Sequence, residues 1–105
     1  MEKSISSMNL FELPNIPLSE ELTTVLAEKE KVRIERIVST GQTTDWYDQR
    51  ETEFVALLQG QVEIEFEDKT VSLSKGDTLI IQPHERHRVS STSVEPPCIW
   101  LCVFW

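Results

Sequence analysis

From Lys31 to Trp105 the chain alternates apolar and polar residues with a period of two, in short runs cut by glycine, proline and polar corners. Val32, Ile34, Arg36 and Val38 alternate with Arg33, Glu35, Ile37 and Ser39, and Gly41 closes the run. Successive side chains of a strand point to opposite faces, so this pattern predicts strands. Glu53 to Gln59 has an apolar middle, Phe54-Val55-Ala56-Leu57-Leu58, which predicts a strand covered on both faces. Gln59-Gly60-Gln61 turns the chain into a run where Val62, Ile64 and Phe66 oppose Glu63, Glu65 and Glu67. One of those faces is buried and the other is wet. We read the acidic side as a solvated face that keeps the sheet from pairing with another chain. Val71 and Leu73 mark a brief strand between the turns Asp68-Lys69 and Lys75-Gly76-Asp77. Thr78 to Gln82 follows, and Pro83 ends it by removing a ladder donor. His87 to Thr92 and Cys98 to Trp105 complete the set, on either side of a loop with Pro96-Pro97. Short strands so punctuated predict an all-β sandwich or small antiparallel barrel.

The start of the chain reads differently. Residues 1–18 look like an extended arm, because Pro14 and Pro17 disfavour helix at the residue before each. Ser19 then suits a helix N-cap, with Glu20 and Glu21 in the first turn and Leu22, Val25 and Leu26 on one face. The expectation is one short helix ending near Lys29 and lying over the barrel. The division is therefore an N-terminal arm and helix over 1–30 and a barrel over 31–105.

Composition narrows the partners. At 105 residues the chain makes one domain, and a chain of this size buries roughly two-thirds of its unfolded surface. A formal charge of −8 and a pI near 4.7 exclude nucleic acid and anionic membrane as partners, since both would repel it. The first twenty residues lack the apolar stretch of a signal peptide. The longest apolar run, Cys98 to Trp105, falls far short of the ~20 residues that span a bilayer. We expect a cytoplasmic protein. On one strand, Cys98 and Cys102 would have Cα atoms about 13 Å apart at ~3.3 Å per residue, too far for a disulfide, which needs less than ~7 Å.

Candidate chemistry centres on the stretch Lys75 to Val89. His87 opens a strand just after a tight corner that holds His84, so its imidazole is fixed on rigid backbone yet still faces a cavity or solvent. The serines form no nucleophilic triad with the two histidines and an acid. Neither cysteine has a neighbouring base, and no glycine-rich phosphate loop is present.

Two sets of offsets line up. Gly41, Tyr47, Gln49, Glu53 and Gly60 are separated by five, one, three and six residues, and Gly76, Gln82, His84 and His87 by five, one and two. This spacing resembles the two motifs of the cupin superfamily, G-x5-H-x-H-x3/4-E-x6-G and G-x5-P-x-G-x2-H-x3-N. The resemblance covers roughly residues 31 to 105. It implies a small antiparallel jelly-roll barrel and, by position, a metal site at Tyr47, Gln49, Glu53 and His87. Only Glu53 and His87 keep the family's ligand types. The second motif also has Gln82 for its Pro, His84 for its Gly and Ser91 for its Asn. Segments around Trp46, Arg86 and Pro96 resemble a subgroup of short bacterial single-domain cupins for which we know no activity.

The resemblance implies a divalent metal such as manganese, iron, nickel or zinc, with Glu53, His87, Gln49 and His84 as candidate donors. The altered set is poor for such ions: Gln49 offers a neutral carbonyl, and the Tyr47 phenol must lose a proton near pH 10 to ligate well. Glu53 and His87 would otherwise pair across the barrel. Trp46 and Tyr47 fall at the barrel mouth and suit a cover for a small ligand; the alternative is a loop anchored by Trp46. Arg36, Arg50, Arg86 and Arg88 fall at the same end and suit capture of a carboxylate or phosphate, or else they balance Asp45, Asp48 and Glu51. Three functions remain open. One is a small-molecule-binding cupin with a vestigial metal site, its pocket lined by Tyr47, Gln49, Glu53, His87 and Trp46. The second is a metal-dependent isomerase or oxygenase using Glu53 and His87. The third is a dimeric structural protein with a filled barrel. Cys98 to Trp105 is apolar on both sides and needs the barrel on one and a cover on the other, either the N-terminal helix or a second subunit; the cupin resemblance favours a homodimer.

Overall fold

The computed structural model describes residues 7–105. Within them the chain forms eight strands and no helix: β1 (Leu22–Lys29), β2 (Val32–Ser39), β3 (Glu53–Gln59), β4 (Val62–Phe66), β5 (Thr70–Leu73), β6 (Thr78–Ile81), β7 (His87–Thr92) and β8 (Cys98–Phe104). They build two antiparallel sheets, ordered β1-β2-β8-β3-β6 and β5-β4-β7. The period-two runs all became strands, with ends within a residue or so of the expected ones.

The expected N-terminal helix is replaced by β1. Thr23, Thr24 and Val25 are three consecutive β-branched residues, which lose side-chain freedom in a helix and fit a pleated surface. Pairing with β2 adds a ladder from Leu22 opposite Val38 to Lys29 opposite Val32, with one bulge at Leu26. Glu30 takes a positive φ of 55° in the two-residue turn between them. A helix there would have left the β2 edge unpaired. Of the expected arm, residues 1–6 lie outside the described ones. Residues beyond them run back along the outer face of β2, held by the buried Arg36, whose Nη1 donates to the carbonyls of Leu10 (3.3 Å) and Glu12 (2.8 Å).

The core lies between the sheets. Inward residues of the larger sheet, including Val55, Leu57, Ile81, Trp100 and Phe104, meet Val62, Ile64 and Phe66 of the smaller one. β8 sits at the centre of the larger sheet, hydrogen-bonded to β2 on one side and β3 on the other. That accounts for its apolar character on both faces. Cys98 and Cys102 are free and buried on its inner face with Trp100 between them.

Gly60, at the β3–β4 turn, is the most closely approached of the three glycines. Its φ is +99°, and an added Cβ would lie 2.7 Å from Cys98 Sγ and 2.9 Å from Cys98 Cα. Gly60→Ala therefore combines left-handed strain with an overpacked backbone contact, and should cost about 2–4 kcal/mol of stability. Urea unfolding of the two proteins checks this; a loss below about 1 kcal/mol would mean that the turn can shift to make room.

Candidate functional site

A cavity of about 230 Å³ opens between the two sheets. Its floor is apolar, made by Val55, Ile64, Ile81, Trp100 and Phe104. Its polar wall carries Tyr47, Gln49, Glu53 and His87, with Glu21, Arg33 and Glu35 beside them.

The segment after β2 places the first of these. Thr44 N–H donates to the Val89 carbonyl (3.0 Å), and Tyr47 and His87 exchange backbone bonds of 2.7 and 3.1 Å, so residues 44–47 run along β7 as an extra edge. This sets the Tyr47 ring 5.5 Å from the His87 ring, with Phe66 at 5.9 Å on the imidazole as well. His87 is only 4% exposed. Its Nδ1 lies 2.8 Å from the Glu85 carbonyl, which can only accept, so Nδ1 carries the proton. In the neutral ring the lone pair is then on Nε2, an atom with no protein hydrogen-bond partner among the described residues.

Glu53 opens β3, and its Oε1 accepts from Gln49 Nε2 at 3.1 Å. Burial pushes its carboxyl above the ordinary range, while hydrogen bonds from Gln49 and the Cys102 thiol pull it part of the way back. The expected Glu53–His87 ion pair does not form; each side chain has other partners. Burial likewise pushes the Cys102 thiol well up, helped by Glu53, so it stays a thiol.

Three of the residues expected at the site lie elsewhere or act otherwise. His84 occupies the corner with a φ of 62°, the backbone that explains a glycine in the family motif. Its exposed ring turns to Asp48, Nδ1 to Oδ1 2.7 Å, and takes no part in the cavity. Trp46 does not line the cavity either. It lies outside the smaller sheet between Arg86 and Arg88, whose guanidinium carbons are 5.0 and 4.9 Å from its ring centre. Those arginines pair in turn with Glu67 and Glu65, so the acidic face of β4 is bridged to β7. Arg36 is spent on the arm, so no arginine clamp for an anion assembles.

Sequence reasoning passed over Glu21, Arg33 and Glu35. Glu21 was assigned to a helix turn. Arg33 and Glu35 alternate with apolar residues, but Ile34 and Val38 lie on one side of the strand and Ile37 on the other, so the pattern alone does not say which face is inner. Arg33 Nε donates to Glu35 (2.7 Å), its Nη1 donates to Glu51 (2.8 Å), and its guanidinium lies 4.3 Å over the Phe104 ring. Ser39 donates to Glu21 Oε2 (2.8 Å) and accepts from Trp100 Nε1 (3.0 Å), which fixes that carboxylate at the cavity wall.

Two twisted antiparallel sheets closed over a ligand-sized interior define a small jelly-roll barrel. Residues 35–104 match the family model for the cupin domain, and the chain belongs to the cupin family. It is similar to a crystal structure of a putative mannose-6-phosphate isomerase from Ralstonia eutropha JMP134, with 34% identity, a TM-score of 0.89, and 94% of this chain and 96% of that one covered. A cupin superfamily protein from Desulfitobacterium hafniense DCB-2 shares the fold at 20% identity and a TM-score of 0.75, covering 85% of this chain and 80% of its own. The polyketide cyclase RemF from Streptomyces resistomycificus does so at 16% and 0.72, covering 82% of this chain and 65% of its own. No curated protein matches the chain.

The side chains present do not fit the metal that the family implies. His84 faces solvent, Gln49 is engaged as a donor to Glu53, and burial pushes the Tyr47 phenol upward, away from the phenolate that would ligate. Among the described residues no three His, Cys, Asp or Glu side chains converge on one point. Glu53 and His87 alone are too few donors for a first-row ion.

Glu53 gives a pH test. Its folded-state value lies above the ordinary 4.5, so between the two values the folded protein binds more protons than the unfolded chain. Stability must then fall as pH rises through that window. Glu53→Gln removes the titration and keeps the shape. In urea unfolding its stability relative to the parent should improve as pH rises above about 4.5 and then level off, and parallel curves throughout would count against a buried, under-compensated carboxylate.

Proposed function

We propose that this protein is a small-molecule-binding cupin whose ligand occupies the inter-sheet cavity against Tyr47, Gln49, Glu53 and His87. The observation that carries the reading is His87. A nearly buried imidazole on the cavity wall, with its tautomer fixed and its second nitrogen lacking a protein partner, is a group built to meet something else. An apolar floor with a few convergent polar groups is the usual composition of such sites. Within the described residues no helix is long and apolar enough to cross a membrane.

The likeness to the Ralstonia protein supports a second reading, isomerisation of a small sugar, with Glu53 and His87 exchanging protons with the bound molecule. Incubation with mannose 6-phosphate, followed by NMR of the sugar, tests it directly. For the binding reading, a fragment library screened by ¹H–¹⁵N spectra should give ligands that move the resonances of residues 47, 49, 53 and 87. His87→Ala should weaken them at least tenfold, about 1.4 kcal/mol, with the spectrum of the rest unchanged. Ligands that bind His87→Ala as well as the parent would remove His87 from the site.

We also propose a homodimer through the outer face of the larger sheet. Ile34, Val103, Phe54 and Ile80 are direct cross-strand neighbours over four strands, on the side away from the cavity. Ile80 is 45% exposed, and the arm lies farther along, at Arg36. The apolar row is where a second copy would cover β8. Light scattering should give twice the chain mass at micromolar concentration and the single mass for Ile80→Arg; a parent that stays monomeric removes the proposal.

A further inference from the structure

The polar wall of the cavity is unbalanced in both charge and hydrogen bonding. Three carboxylates face it, from Glu21, Glu35 and Glu53, against one guanidinium, Arg33. That guanidinium is already held by Glu35 and by a further carboxylate, Glu51, and is laid over Phe104. Gln49 directs its amide N–H to Glu53. His87 has spent its proton on the Glu85 carbonyl, so Nε2 presents only a lone pair. The wall thus offers acceptors and negative charge, with the hydroxyls of Thr23, Thr44 and Tyr47 as the remaining donors.

From this we infer that the ligand is a small ammonium compound that donates to His87 Nε2, its charge drawn by the carboxylates of Glu53, Glu21 and Glu35 around the cavity, and its compact apolar body laid on Val55, Ile81, Trp100 and Phe104. The inference rests on the binding reading above and names the chemistry of that ligand. A carboxylate or phosphate would meet like charge with no free guanidinium to receive it. A neutral polyol accepts as often as it donates, and would leave both the charge and part of its own acceptor capacity unmatched. An ammonium supplies donors only, together with the missing positive charge. Tyr47 registers the same field: its phenol is pushed above 10.0, first by burial and then by the charges of Glu21 and Glu53. Size sets the other limit. A cavity of about 230 Å³ holds about eight waters at ~30 Å³ each, so the compound has about a dozen non-hydrogen atoms or fewer.

The test uses near-isosteric probes that differ in charge: benzylamine, benzyl alcohol and benzoate, with mannose 6-phosphate as the phosphorylated comparison. Each is titrated into the ¹⁵N-labelled full chain at pH 7.5 and low salt. Benzylamine should move the resonances of residues 47, 53 and 87 and bind at least tenfold more tightly than benzyl alcohol, with benzoate and mannose 6-phosphate weaker still. Glu35→Gln and Glu21→Gln, each with an otherwise parental spectrum, should weaken benzylamine severalfold and benzyl alcohol hardly at all. Benzoate or mannose 6-phosphate bound in the cavity as tightly as the amine would overturn the inference and leave the pocket reading standing. The same holds if the fragment library yields cavity ligands that are never amines. If neither probes nor fragments move those residues, the pocket reading fails and takes this inference with it.

Discussion

The placement of β8 between β2 and β3 is the constraint on which the molecule depends. Seven apolar residues from the end of the chain are hydrogen-bonded on both sides, to a strand just before the middle of the sequence and to one just after it. The register of that triple row then builds the site. Arg33 lies opposite Phe104 and Phe104 opposite Glu53; one step along, Glu35 lies opposite Cys102 and Cys102 opposite Val55. Strands about 4.8 Å apart therefore set Arg33 and Glu53 roughly 10 Å apart across an aromatic floor. A shift of one residue in either pairing would send the charged set to the outside and the apolar row inward. The polar wall is a consequence of how the core is registered.

The smaller sheet closes this arrangement through a different device. Residues 44–47 have no regular strand of their own, yet they hydrogen-bond to β7 and bring Tyr47 against His87. Trp46, its neighbour, points to the other side and is clamped between Arg86 and Arg88. Alternation along a strand-like segment explains the split: one aromatic fills the outer face and anchors the loop, and the next reaches the cavity. With the Trp46 clamp pairing onward to Glu65 and Glu67, the acidic face of β4 serves as a counter-charge for the loop anchor as well as a wet surface.

Seven of the strands were legible, because each keeps a period of two or a short apolar run, with glycine, proline and polar corners between them. β1 was not. Ser19, Glu20 and Glu21 imitate a helix start, and only the tertiary ladder with β2 decides against it. That one misreading hid Glu21 from the site. Glu53 and His87 were legible from motif spacing, which reports loop length as much as chemistry. Whether Arg33 and Glu35 face in or out was not legible, since both faces of β2 carry apolar residues and the deciding fact is the register with β8. His84 shows the limit of reading a motif by residue type. The position selects a positive φ, and the imidazole that occupies it follows the backbone outward.

What the cavity has lost and gained can be argued from the same register. By position, Tyr47 and Gln49 stand where the family motif has two imidazoles, and neither supplies a lone pair to a common point. Gln49 instead donates to one oxygen of Glu53, and the Tyr47 ring packs at a tilt against His87. Buried carboxylates without a cation are costly, and in a protein shaped for stability alone they would be replaced or paired. Here burial raises the Glu53 carboxyl and His87 Nε2 has no protein hydrogen-bond partner among the described residues, while the surrounding strands hold both in place. Under the binding proposal, a molecule in the cavity would meet both groups. On that proposal, the departure from the metal motif changes what the barrel would hold, from an ion to a small molecule.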